Sequence, residues 1–354
     1  MKKVLADLSL DELTEYLSSI GQPKYRASQI LNGVLNYKDL DEMTNIPKEL
    51  KNRLAEDFYV KGLTVYKSLT SKDGTVKFLF KLNDGNIVEG VLMKYKYGNT
   101  QCVSTQVGCR MGCKFCASGL DGLIRNLTAG EILSEVLAVN AYLGGTSAKR
   151  EVTNLVLMGS GEPLDNYDNT VAFLRKASDE KGLNISTRNI SLSTCGLVPN
   201  IYKLADEGFS LNLTISLHNP FDEERKLVMP IANKYSIDEI LKACAYYFEK
   251  TGRRYIFEYV LIKGVSDTKR HAQGLIRILK GKPCLVNLIR LNEVKERPLE
   301  TVTLKDAEVF QSILIKGGIN ATVRRQIGVD IEGACGQLRR KYLKDEEQGE
   351  ENDN

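Results

Sequence analysis

Cys109-Arg110-Met111-Gly112-Cys113-Lys114-Phe115-Cys116 places three thiols within eight residues, a C-x3-C-x2-C spacing. Three thiolates on one loop can hold three irons of a [4Fe–4S] cube and leave the fourth iron without a protein ligand. Such an open iron can chelate the amino and carboxylate groups of a small molecule. A structural Zn²⁺ site would want four ligands. No fourth Cys or His stands close by, although a remote one could fold in, and the chain has only two histidines, His218 and His271. The odd number of clustered thiols disfavours a disulfide. Cluster ligation is the favoured reading; zinc and chemically inert cysteines are its alternatives.

Further polar residues recur at the ends of predicted strands. Met158-Gly159-Ser160-Gly161-Glu162-Pro163 follows one of them. Its glycines let backbone approach a ligand, and Glu162 can accept hydrogen bonds from an ammonium group. Ser193, the Ser216-Leu217-His218 string and Asn292 occupy the same place after later strands. Taken alone, Gly-Glu-Pro is an ordinary turn and His218 an ordinary hydrogen-bonded histidine.

With an aromatic before its last Cys, on the loop after the first barrel strand, the cysteine motif is similar to the radical S-adenosylmethionine (SAM) superfamily. That resemblance implies a [4Fe–4S] cluster and reductive cleavage of SAM to a 5′-deoxyadenosyl radical. Two more cysteines narrow it. Cys102 lies seven residues before Cys109, and Cys335 lies in Asp330-Ile331-Glu332-Gly333-Ala334-Cys335-Gly336-Gln337-Leu338. With these strings the chain resembles the RlmN/Cfr family of ribosomal RNA adenine methyltransferases along nearly its whole length. The resemblance implies that Cys335 carries the methyl group, that Cys102 resolves a covalent enzyme–RNA intermediate, and that Glu89 accepts a proton. It further implies SAM contacts at Gly161, Glu162, Ser193, Ser216, Leu217, His218 and Asn292, and cluster ligands at Cys109, Cys113 and Cys116. Ser160, Cys195 and Arg290 depart from residues common in the family.

The chemistry explains the scheme. Carbon 2 of adenine, between two ring nitrogens, is electron-poor and no nucleophile toward a sulfonium methyl, whereas a thiolate is one. Methylated Cys335, after loss of a hydrogen to a second SAM-derived radical, could add to that carbon, leaving Glu89 to act as base and Cys102 to release product as a Cys102–Cys335 disulfide. Cys335 could instead be a small buried hydrophobe, the reading kept for Cys244 and Cys284. The implied substrates are 23S rRNA and tRNA, with a low-potential electron donor of flavodoxin or ferredoxin type. The nearest rival is a Cfr-type enzyme methylating carbon 8 and conferring antibiotic resistance. More distant are another radical SAM enzyme and a non-catalytic metal-bearing RNA-binding module.

The elements that must position these residues are legible in outline. The expected fold is α/β: a partial (β/α)6 radical SAM barrel with an N-terminal helical accessory domain and a small antiparallel β extension. Residues 1–60 read as short helices, with Ser9 a candidate N-cap and Pro47 a first-turn residue. Residues 61–100 alternate in period two and are split by Asp73-Gly74 and Asn83-Asp84-Gly85, which are hairpin turns. Residues 101–344 repeat strand, loop and helix, with strands predicted at 101–106, 152–158, 188–193, 210–217, 254–261, 285–291 and 319–325. Helices are predicted at 128–143, 236–250 and 303–316.

Residues 345–354 hold six acidic groups and no basic one, and read as a disordered tail. Without them the chain has 49 basic against 39 acidic residues, a net +10 compatible with a phosphate-rich partner. Lys94-Tyr95-Lys96-Tyr97, Arg324-Arg325 and Arg339-Arg340-Lys341-Tyr342 mix basic and aromatic residues in the way that suits unstacked RNA, though such runs are often plain solvated surface. The polar start and eight cysteines predict a cytoplasmic protein, and the lack of an apolar run of about 18 residues predicts no membrane span.

Overall fold

The computed structural model describes residues 2–292 and 296–331; Cys335, the Arg339–Lys341 run and the acidic tail lie outside them. Three helices open the chain between two short paired strands: β1 (Lys3–Val4), α1 (Leu10–Ser19), α2 (Arg26–Leu35), α3 (Lys48–Asp57) and β2 (Phe58–Tyr59). Ser9 caps α1 in a reciprocal box with Glu12, satisfying two otherwise orphaned amides. Pro47 is the extended N-cap of α3 and not its first helical residue.

An antiparallel meander follows: β3 (Leu63–Thr70), β4 (Val76–Leu82), β5 (Ile87–Tyr95) and β6 (Gly98–Cys102). Gly74 and Gly85 take φ of +84° and +87° in its first two turns, a conformation that favours glycine. A two-stranded ribbon, β7 (Gln106–Gly108) with β8 (Leu123–Asn126), brackets the cysteine loop. The remaining elements alternate: α4 (Ala129–Tyr142), β9 (Val152–Leu157), α5 (Tyr167–Ser178), β10 (Ile190–Thr194), α6 (Val198–Asp206), β11 (Asn212–Ser216), α7 (Asp222–Val228), α8 (Ile237–Thr251), β12 (Tyr255–Leu261), α9 (Lys269–Leu279), β13 (Cys284–Arg290), α10 (Leu304–Lys316) and β14 (Ala321–Val323).

One ten-stranded sheet runs β14-β13-β12-β11-β10-β9-β6-β5-β4-β3. From β6 to β14 all neighbours are parallel, joined by six helical crossovers, so each apolar strand is covered by a helix. The meander is hydrogen-bonded into this sheet through β6, which is antiparallel to β5 and parallel to β9. Strand 101–106 of the sequence reading is therefore two strands. Ser104 interrupts it, its amide taken by the buried Glu135 carboxylate and its hydroxyl donated to the Glu89 carbonyl. The cysteine motif consequently follows the β7 ribbon and not the barrel strand itself.

The chain after β14 returns to the far side of the molecule. Arg324 N–H donates to Leu288 O at 2.8 Å, and Arg290 bonds Gln326. Gly328 N–H then donates to Asp73 at 2.9 Å, while the Asp330 carboxylate takes the Lys72 amide at 3.1 Å and the Ser71 hydroxyl. Residues 324–330 thus link one edge strand to the β3–β4 turn near the other edge.

Candidate active site

Two contacts pinch the cysteine loop closed. Cys109 N–H donates to Gly122 O at 2.8 Å, and a Cβ at Gly108, φ +78°, would lie 2.1 Å from that same oxygen. Within the loop Gly112 turns the chain at φ +67°, and Lys114 N–H donates to Val228 O at 2.9 Å, tying the loop to the end of α7. Phe115 meets the His218 ring edge-on, centroids 4.6 Å apart.

The three thiols line a cavity of about 280 Å³ whose other walls are the C-terminal ends of successive parallel strands. These walls are Met158, Gly159, Gly161 and Glu162 after β9, Ser193 to Cys195 at β10, Ser216 and His218 at β11, Glu258 and Val260 on β12, Ile289 and Asn292 at β13, and Arg324 after β14. Parallel strands present their C-terminal ends and loops on one side, so residues far apart in sequence converge there. Burial pushes the Cys109 thiol up to about 12, reinforced by Cys116, and pushes Cys113 up as well, with Cys116 and Cys109 adding to it. Cys109 and Cys113, whose ionisation burial opposes, need a cationic ligand to hold them as thiolates. Among the described residues no three Cys, His, Asp or Glu side chains converge as ligands of a single ion would. An iron–sulfur cube takes one thiolate per iron, and three thiols from one loop lining one cavity match that donor set.

Glu162 is buried, its oxygens accepting from Cys195 N–H at 2.7 Å and Leu164 N–H at 3.0 Å. Burial raises its pKa against the opposing pull of these amides. At φ +109° a Cβ on Gly161 would sit 2.7 Å from Gln106 Cβ and 2.8 Å from Gln106 N, so the missing side chain admits the 105–106 backbone at a residue that also lines the cavity. Gly159 faces Val103 O in the same way, at 2.6 Å.

His218, at φ +58°, is buried and accepts Val260 N–H at Nδ1, 3.1 Å. Burial, aided by Arg225, lowers it to about 3; it is the neutral tautomer with the proton on Nε2. Leu217 does not line the cavity. Its side chain is in the core, and its backbone is taken up by Glu258 O and Arg225. Cys244 and Cys284 are core residues, as the apolar reading has them.

A second cavity of about 140 Å³ adjoins the first, sharing Met158, Ile289, Asn292 and Arg324 with it. Cys102 lines it with Val91, Met93 and Ile327. In the sheet Cys102 is opposite Val91, and Val91 is two residues from Glu89, so Glu89 and Cys102 share a face. Glu89 is buried with Lys77 Nζ 3.2 Å from its Oε2. Cys335, the third catalytic residue of the sequence reading, lies outside the described residues.

Sequence reasoning missed three residues. Glu258 lines the cavity and is held by Asn287 Nδ2 at 3.0 and 3.2 Å; burial raises its pKa. A signal existed, because Glu258 and Asn287 interrupt two otherwise apolar strands at paired positions. Lys77 was hidden by its resemblance to an outward-facing strand residue. Arg225, in Asp222-Glu223-Glu224-Arg225-Lys226, reads as a solvated charged helix yet is wholly buried. Of the basic runs, Arg324-Arg325 borders the second cavity. Lys94–Tyr97 is at the opposite end of β6 from Cys102, where Tyr95 and Tyr97 stack at 4.9 Å.

Comparison with known proteins agrees with this geometry. Residues 4–60 match the model of the ribosomal RNA large subunit methyltransferase N-terminal domain, and residues 103–272 that of the radical SAM superfamily. A probable dual-specificity RNA methyltransferase RlmN of Clostridium perfringens (strain SM101 / Type A) is 55% identical over 347 residues, covering 97% of this chain and 98% of that protein. Its Clostridium novyi (strain NT) counterpart is 52% identical over 349 residues, 97% and 99% of the two chains. The crystal structure of a radical SAM methyltransferase from Sphaerobacter thermophilus superposes with a TM-score of 0.90 at 45% identity, covering 95% of this chain and 98% of that one. With near-complete coverage on both sides, the chain belongs to the RlmN family of radical SAM rRNA methyltransferases.

Proposed function

We propose that this radical SAM RNA methyltransferase methylates carbon 2 of an adenine in 23S rRNA and in tRNA, through a methylated Cys335 and with two SAM per turnover. The observation that carries the reading is the junction of the two cavities. The thiol-lined chamber shares Met158, Ile289, Asn292 and Arg324 with the pocket of Cys102, whose sheet face also bears Glu89.

Cys109, Cys113 and Cys116 would hold the [4Fe–4S] cluster, which when bound supplies an open iron and the electron for SAM cleavage. Glu162 receives the SAM ammonium, Ser193, Ser216 and Asn292 offer hydrogen bonds, and neutral His218 presents Nε2–H to the cavity without adding charge. Leu217 acts through backbone placement of its neighbours. Cys335 carries the methyl group that becomes joined to the ring carbon. Glu89, held by Lys77, removes the ring proton while the adduct gives one electron back to the cluster, and Cys102 attacks the Cys335 sulfur, so that the sulfur–carbon bond breaks, a Cys102–Cys335 disulfide forms and the freed carbon takes a proton from solvent. A target atom inside the ring requires a nucleotide turned out of its stack, and Arg324 and Arg325, which border the second cavity, are the proposed contacts for its phosphates. The electron donor is a flavodoxin- or ferredoxin-type protein, and the setting is the cytoplasm.

The test is anaerobic turnover with methyl-deuterated SAM and an rRNA fragment, followed by mass spectrometry of the modified nucleoside. Two retained methyl deuteriums at carbon 2 are expected. Three retained deuteriums would reject hydrogen abstraction, and modification at carbon 8 would reject the assigned position.

A further inference from the structure

Arg225 is a buried cation with no carboxylate partner among the described residues. Its Nε donates to Leu217 O at 3.0 Å, and its Nη2 to Cys195 O at 2.8 Å and Ser216 O at 3.3 Å. Nη1 is buried with no hydrogen-bond partner. Among the described residues no carboxylate lies within ion-pair distance of the guanidinium. Asp222, on the same helix, is engaged by Ile237 N–H at 2.8 Å.

An ionised side chain taken wholly out of water is normally paired, since the desolvation cost amounts to several kcal/mol per ion. Three backbone carbonyls supply dipoles but no charge. Cys195, whose carbonyl receives Nη2, belongs with Val228 and Met229 to a packed cluster that also takes in Cys113. The carbonyl partners of Arg225, on Cys195, Ser216 and Leu217, are at the strand ends behind the thiol-lined cavity. A [4Fe–4S] core with three thiolates carries one net negative charge, and one-electron reduction adds a second.

We propose that Arg225 is the buried counter-charge of the iron–sulfur cluster, a positioning residue that stabilises its reduced form from behind the Cys113 side of the loop. This inference rests on Cys109, Cys113 and Cys116 being the cluster ligands. Its effect is electrostatic, because a positive charge in a low-dielectric wall favours the state with more negative charge beside it.

The test is an EPR-monitored redox titration of anaerobically reconstituted wild type, Arg225→Lys, Arg225→Gln and Arg225→Met. The Gln and Met variants should shift the reduction equilibrium at least tenfold toward the oxidised cluster, 59 mV more negative for one electron. Arg225→Lys, which keeps the charge, should remain near wild type. Iron retained by wild type and Lys but lost from both neutral variants would also support the proposal. It is overturned if a neutral variant holds the cluster at a wild-type potential, or if all three variants fail to fold even before reconstitution, which would make Arg225 only a brace for the three carbonyls. Wild type that takes up no iron would instead sink the ligand assignment.

Discussion

Lys77→Met tests how the molecule tolerates a carboxylate on the inner face of its sheet. The Lys77 ammonium is fully buried, Glu89 nearly so, and Nζ is 3.2 Å from Oε2. At an effective dielectric of about 20, Coulomb's law gives an attraction of about 5 kcal/mol at that separation. Removing one partner of a buried pair costs roughly 3–5 kcal/mol, since the other charge loses that attraction while staying out of water. Lys77→Met and Glu89→Gln should each lose about that much. The double variant buries neither charge, so its loss should fall short of the sum by roughly 2–3 kcal/mol. Urea midpoints of the four cluster-loaded proteins, measured anaerobically, give the coupling directly. Losses that add to within about 0.5 kcal/mol would refute the claim that each charge stabilises the other, and with it the role of Lys77 in holding Glu89.

Gly161→Ala meets both a φ of +109° and a backbone nitrogen 2.8 Å from the new methyl, and should cost roughly 2–4 kcal/mol. Gly21→Ala, at φ +71° in open space, should cost only about 1 kcal/mol; equal shifts in melting temperature would show that packing against Gln106 is not the constraint. His218 has a folded pKa near 3, below its value in the unfolded chain, so the unfolded state binds the proton first. Its contribution is complete above about pH 6.5 and is lost as pH falls toward about 3. His218→Asn, which tolerates the left-handed backbone, should flatten the stability profile over that window, and an unchanged slope would contradict the assignment. Asp330→Ala removes the acceptor of the Lys72 amide and Ser71 hydroxyl. Faster hydrogen exchange is expected in 324–331 but not in β10 or β11, with a local cost of about 1–3 kcal/mol; unaltered exchange in 324–331 would show that the clasp does not hold that segment.

Local chemistry was written in the sequence. The capping boxes at Ser9–Glu12 and Thr128–Glu131, the Asp73-Gly74 and Asp84-Gly85 turns and the alternating βα pattern all depend on residues within a few positions of each other. So did the three-thiol loop, because its ligands are neighbours in the chain. Position along a strand was likewise enough to place Glu162, Ser193, Ser216, His218 and Asn292 on one cavity, since parallel strands deliver their C-terminal ends to a common side.

Only the folded chain decided which charges are buried. Lys77 and Arg225 carry the same side-chain signals as solvated residues, and their burial follows from what packs over them: the neighbouring strands for one, the strand ends β10 and β11 for the other. Tertiary structure also brought the 105–106 backbone against Gly161, split the strand before the cysteines, and set the Lys94–Tyr97 run away from Cys102. A one-dimensional pattern specifies periodicity and local hydrogen bonding, but burial and close approach are properties of pairs of segments that meet only after the sheet has formed.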